Sequence, residues 1–140
     1  MGRIVAIDYG RKRTGLAVTD PMQLIASGLT TVPSGELVDF LSAYVKREPV
    51  ELFVVGQPKQ MNNEPSENMV NVEAFVTRLK RVIPQIPVVY YDERFTSVLA
   101  HRAMLDGGLK KKKRQEKALV DEISAVIILQ SYLESKQYQL

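Results

Sequence analysis

Four apolar residues, Ile4-Val5-Ala6-Ile7, run without a break into Asp8, and no other feature narrows the possible folds of this chain as sharply. A strand wet on one face alternates apolar with polar residues. A continuous apolar run belongs to a strand covered on both faces, the habit of parallel α/β sheets. Asp8 therefore sits where an unpaired carboxylate is costly. Gly10 follows, and Gly15 opens a second run, Leu16-Ala17-Val18, so two strands joined by a basic tip, Arg11-Lys12-Arg13, are predicted.

The remaining periodicities fall into a regular order. An extended stretch near Ser27 to Val32 stops at Pro33-Ser34-Gly35. From Glu36 the spacing of Leu37, Phe40, Leu41, Tyr44 and Val45 predicts an amphipathic helix that ends before Pro49. Leu52-Phe53-Val54-Val55 reads as a buried strand closed by Gly56 and Pro58, and Lys59 to Ser66 as a polar loop. Val72, Phe75, Val76, Leu79, Val82 and Ile83 mark a second helix, and Val88-Val89-Tyr90-Tyr91 a further strand. Thr96 or Ser97 is placed to cap a helix that stops at Asp106-Gly107-Gly108, and a long helix is predicted from Ala118 to about Ser135. Strands that alternate with helices after Val32 imply parallel neighbours joined by crossovers. The fold class expected is α/β: a mixed sheet, made of a three-strand meander followed by alternating helices and parallel strands, in a single domain over residues 1–140. If the first strand joins the parallel set, Asp8, Gly56 and Glu93 emerge at one edge, where open α/β sheets place their ligands.

Composition decides which chemistry that edge has available. The chain has no cysteine and one histidine, His101, which excludes thiolate zinc sites and leaves oxygen as the main metal donor. His101 itself reads as a surface or packing residue. No apolar stretch approaches the roughly 20 residues that cross a bilayer, and a cytoplasmic protein without membrane attachment is expected. The net charge of +3 is too small to prove a polyanionic partner, so the local clusters carry the argument.

Three acidic residues stand out. Asp8 ends a strand covered on both faces, although an Asp before Gly10 also suits a tight turn. Glu93 follows the last strand, where its bland role is a surface ion pair. Period-two alternation sends Asp92 and Glu93 to opposite faces, so one of them joins the site. Asp121 shares a helical stripe with Ala125, Ile128 and Tyr132, flanked by Leu119, Ile123, Val126 and Ile127. An Asp so placed is either satisfied by backbone donors or an Arg, or part of a site. Three half-buried carboxylates converging at one edge repel one another unless a cation sits among them. Mg2+ or Mn2+ suits such an all-oxygen site, and two ions could activate water and stabilise the leaving oxygen of a phosphodiester.

Two basic clusters flank these positions. Arg11, Lys12 and Arg13 follow Asp8 and are candidates to pin a phosphate, though a solvated turn explains them equally well. Lys110, Lys111, Lys112, Lys113 and Arg114 form a cationic run before the last helix and are expected to act as a flap over nucleic acid. Such contacts hold a backbone without reading its sequence. Tyr90, Tyr91 and Phe95 are assigned to the core rather than to base stacking.

Taken together the motifs resemble one family. Asp8-Tyr9-Gly10-Arg11-Lys12-Arg13-Thr14-Gly15-Leu16-Ala17-Val18-Thr19-Asp20 is similar to the opening motif of the YqgF (RuvX) family. Val55-Gly56-Gln57-Pro58, Asp92-Glu93-Arg94-Phe95-Thr96-Ser97 and Lys117 through Asp121 to Leu129 resemble its later motifs in the same order. Asn62-Asn63, where a glycine commonly follows, and Ser124, for a frequent alanine, are the departures. The resemblance implies a ribonuclease-H-like fold and a metal-dependent nuclease of the ribosome-biogenesis machinery, maturing the 5′ end of precursor 16S rRNA. It places the catalytic, metal-holding carboxylates on Asp8, Glu93 and Asp121. The partner implied is structured RNA, with branched DNA and Holliday-junction resolution as the alternative, and the protein is expected as a monomer or homodimer. Two rivals from other classes remain at this point: an actin-like phosphotransferase, for which the chain lacks a second domain, and a non-catalytic nucleic-acid-binding module.

Overall fold

The computed structural model describes residues 2–57, 67–92 and 117–137. Strands β1 (Arg3–Asp8), β2 (Arg13–Thr19) and β3 (Ala26–Pro33) form a meander, and a turn of 3-10 helix (Ser34–Glu36) leads into α1 (Leu37–Arg47). Then follow β4 (Val50–Gln57), α2 (Met69–Val82), β5 (Val88–Asp92) and α3 (Lys117–Gln137). The sheet order is β3-β2-β1-β4-β5. β2 lies antiparallel to β1 and β3, while β1, β4 and β5 run parallel. The first strand therefore does join the parallel set, and the C-terminal ends of β1, β4 and β5 share one edge.

Alternation along β1 divides the interior into two layers. Val5 and Ile7 point with Leu16, Phe53 and Val55 into the larger core, against Leu37 and Leu41 of α1 and Val72, Phe75, Val76 and Leu79 of α2. Ile4 and Ala6 point the other way, with Ala17 and Val54, against Ala125, Ile128, Leu129, Tyr132 and Leu133 of α3. The unbroken apolar run is thus explained by helices on both sides of β1. α1 ends where Glu48 turns extended ahead of Pro49, since proline disfavours helical backbone in the residue before it. Lys46 and Arg47 in its last turn suit the negative end of the helix dipole.

The structure corrects one expectation. Tyr90 is 39% exposed, and no residue of β5 is fully buried, so Tyr90 is not a core residue. β5 is the last strand of the sheet among the described residues. Tyr91 does pack inward, edge-on to Tyr132 at 6.2 Å. The helix expected between Thr96 and Asp106, the loop Lys59–Ser66 and Phe95 lie outside the described residues. No helix among the described residues is long and apolar enough to cross a membrane.

Candidate functional site

Asp8 is the last residue of β1 and continues the face of Ile4 and Ala6, toward α3. Its cross-strand partner is Gly15, and directly opposed residues of an antiparallel pair lie about 4.5–5.5 Å apart and share a face. At Gly15 the α3 backbone lies against the sheet. A Cβ built on Gly15 would overlap the carbonyl group of Asp121 and come within 2.8 Å of the Glu122 nitrogen. Only glycine permits this approach of helix backbone to strand backbone. The Asp121 backbone is therefore seated on the residue that pairs with Asp8, and the two residues, 113 positions apart by number (121 − 8), belong to one edge of the fold.

Asp121 has not been left to solvent. Its side chain is 28% exposed, and its Oδ2 accepts a hydrogen bond from Arg13 Nε at 3.0 Å, an ion pair with a guanidinium 34% exposed. Arg13 is thus the first residue of β2, committed to Asp121, rather than a member of the free tip as its sequence position suggested. Gly10, Arg11, Lys12, Arg13 and Asp121 together line an open cleft of about 300 Å³. Arg11 and Lys12 are exposed there.

The tip is held from below by residues that pattern reading did not single out. Ser34 Oγ hydrogen-bonds the Gly10 carbonyl and lies 2.8 Å from Thr14 Oγ1, and Ser34 N donates to the Lys12 carbonyl at 3.0 Å. Asn68 Nδ2 donates to the Tyr9 carbonyl at 3.0 Å, and the Tyr9 ring stacks on Phe75 at 4.9 Å. The backbone on either side of Gly10 is therefore tied to the turn after β3 and to the start of α2. Pro33-Ser34-Gly35 signalled only a strand end, and no sequence signal marks Ser34 as the brace of a loop 24 residues away.

The other predicted positions divide cleanly. Asp92 is paired in register with Gln57 and continues the alternation of Val88 and Tyr90, so it lies on the face opposite Asp8 and drops out of the candidate set. Gly56 is in register with Tyr91 and stands beside Asp8, since Ile7 pairs with Val55. Glu93, His101 and the cationic run Lys110, Lys111, Lys112, Lys113 and Arg114 lie outside the described residues. Among the described residues no three His, Cys, Asp or Glu side chains are grouped closely enough to hold a metal ion. Asp8 and Asp121 are two hard oxygen donors, and the guanidinium on Asp121 marks a place where positive charge is accommodated, which fits a divalent cation such as Mg2+.

Away from this edge, Asp20 builds the β2–β3 turn. Its carboxylate accepts the backbone N–H groups of Ile25, Leu24 and Met22 at 2.8, 2.9 and 3.1 Å. The bond from Ile25, with those from Leu24 and Met22, holds its pKa below the ordinary 3.8. Gln23 takes a left-handed backbone (φ 59°), allowed because its amide bonds the Gly2 carbonyl and Glu51.

Comparison with known proteins identifies the family and the fold. The model of the family described as RuvX, Holliday junction resolvase, matches residues 2–135. A Parabacteroides distasonis protein named "Putative pre-16S rRNA nuclease" is 79% identical over the full length of both chains. A Bacteroides thetaiotaomicron protein of the same name is 70% identical, covering 99% of this chain and 100% of its own. Among solved structures, RuvC of Thermus thermophilus in complex with a Holliday junction substrate superimposes with a TM-score of 0.61 at 18% identity, covering 99% of this chain and 97% of that one. At that identity the likeness speaks for the fold, which is ribonuclease-H-like.

Proposed function

The chain belongs to the RuvX family, and from that premise we propose that it is a single-domain, metal-dependent endonuclease that hydrolyses phosphodiester bonds of structured RNA, acting at the 5′ end of precursor 16S rRNA. One observation carries the reading: the seating of Asp121 on Gly15, beside Asp8, at the edge where the parallel strands end and the basic tip begins. The Arg13 pair by itself would satisfy a structural Asp121; it is the placing of Asp121 on the strand partner of Asp8 that favours a site.

Asp8 and Asp121 would hold the divalent ion, with Glu93, which the resemblance to the family's acidic motif names, as third ligand. Such an ion supplies electrostatic stabilisation of the charge that builds on the phosphoryl oxygens as water displaces a bridging oxygen. Arg11 and Lys12 bind flanking phosphates and fix the strand in the cleft, and Lys110 to Arg114 extend that contact. Ser34 and Asn68 keep the tip and Asp8 in one geometry, which matters because a misplacement of about 1 Å can cost roughly 100-fold in rate.

The names of the highly identical relatives favour RNA, and the family description favours branched DNA. Both linkages are the same chemistry, so the test uses both substrates. Labelled precursor 16S RNA carrying its 5′ leader and a four-way DNA junction are incubated with Mg2+, Mn2+ or EDTA. The wild type is expected to cut the RNA only with metal, and Asp8→Asn and Asp121→Asn to lose about 100-fold or more when assayed well below each variant's Tm, since Asp121→Asn also breaks the Arg13 pair. Preferential cutting of the junction would replace the RNA assignment. Metal-independent cutting that survives both substitutions would leave a binding module or a different active centre.

A further inference from the structure

The ion pair between Arg13 and Asp121 places a monovalent cation on a carboxylate assigned above to a divalent one. Arg13 Nε lies 3.0 Å from Asp121 Oδ2, and both side chains open onto the cleft lined by Gly10, Arg11 and Lys12. A guanidinium and a divalent ion at the same carboxylate repel each other, and burial of both groups to about two-thirds keeps that repulsion from being fully screened. We infer that Arg13 is a positioning residue that occupies Asp121 until the metal arrives, and is then displaced into the cleft, where it joins Arg11 and Lys12 on the nucleic-acid phosphate. This inference rests on the metal-dependent reading given above.

The guanidinium suits the second role better than a lysine would. Its planar fork matches two phosphate oxygens at once, and it stays charged at any working pH. In the first role the pair compensates Asp121 and helps keep the α3 backbone close to Gly15. Exchange of one partner for another makes the two binding events mutually reinforcing. Metal frees the phosphate ligand, and phosphate holds the competitor away from the metal site. By linkage the factor is the same in both directions.

Removing the competitor separates this from a purely structural staple, because the two predict opposite signs. Titration of Mn2+ into wild type and Arg13→Gln is followed by calorimetry, with no substrate present. A part-exposed pair has modest strength, so Arg13→Gln is expected to bind Mn2+ about 3-fold more tightly. Mn2+ is also expected to raise the affinity of the wild type for a cleavage-resistant phosphorothioate RNA, read by fluorescence anisotropy, and to do so less in Arg13→Gln. Arg13→Lys keeps the competing charge and should retain Mn2+ affinity near wild type. Equal or weaker Mn2+ binding by a folded Arg13→Gln overturns the exchange while leaving the metal site intact. Failure of the wild type itself to bind Mn2+ overturns both. Should Arg13→Gln not fold, the Arg13 Nε–H resonance of the wild type decides. Loss of its exchange protection on Mg2+ addition supports the exchange, and protection that persists at saturating Mg2+ overturns it.

Discussion

Replacing Gly15 with alanine tests whether the candidate site is set by backbone contact. The added methyl overlaps the Asp121 carbonyl and stands 2.8 Å from the Glu122 nitrogen. β2 is held on both sides by β1 and β3, and Asp8 lies opposite Gly15, so it is α3 that must retreat. Restoring ordinary van der Waals separation from the Asp121 carbonyl requires a shift of roughly 1.4 Å or more, and overpacking of this kind costs about 1–3 kcal/mol. For a chain of this length that corresponds to a fall in Tm of roughly 3–10 °C. The same shift carries Asp121 away from Asp8, and misplacement on this scale lowers a rate by about 100-fold. Cleavage is to be measured well below the variant's Tm, so that loss of rate is not loss of folded protein. Gly35→Ala is the control, because nothing lies within 4 Å of a Cβ there, and it should melt at or slightly above wild type. A Gly15→Ala protein with wild-type Tm and wild-type rate would show that α3 does not rest on β2 at this point.

Two further outcomes concern the loops. Ser34→Ala removes the hydroxyl that ties Gly10 to Thr14, and should lower stability by about 1–2 kcal/mol in chemical denaturation while weakening RNA binding in anisotropy. An unchanged denaturation midpoint would show that the tip is held otherwise. Asp20 has a folded pKa depressed below 3.8 by the N–H groups of Ile25, Leu24 and Met22. Its contribution is present above the unfolded value and lost as pH falls through the folded one, so the amide resonances of Met22, Leu24 and Ile25 should titrate with a midpoint below 3.8, and a midpoint at or above it would contradict the turn geometry.

Strand and helix periodicities made the layers of this fold legible because burial acts residue by residue. Ile4-Val5-Ala6-Ile7 has no alternation, and both of its faces are covered; Ala125, Ile128 and Tyr132 share a stripe, and that stripe is buried. Asp8 and Asp121 stand out in the sequence as charges among apolar residues, and the fold brings both to Gly15. Arg13 was not. Its spacing placed it with Arg11 and Lys12, and nothing local distinguishes a guanidinium that meets a carboxylate 108 residues later from one that meets water. Asp92 against Glu93 was undecidable until the register of β4 and β5 put Asp92 on the α2 side. Tyr90 was misplaced because an aromatic in a strand reads as core, whereas edge strands leave such residues half-wet.

The residues under α3 explain how two acids so distant in sequence come to one place. Ala6, Ala17, Gly15 and Gly28 form a shallow floor: the first two lie in the buried layer, the third meets the Asp121 carbonyl, and the fourth lies against the Glu122 carboxylate. Large side chains at these positions would hold the helix at the usual distance and let its ends tilt with each repacking of the core. Small ones bring helix backbone onto strand backbone, so the position of Asp121 follows from main-chain contact rather than from the rotamers of Ile128, Leu129 or Leu133. A carboxylate fixed in this way can be held against an arginine or a metal without a change in the fold, which is the property that exchange at Arg13 requires.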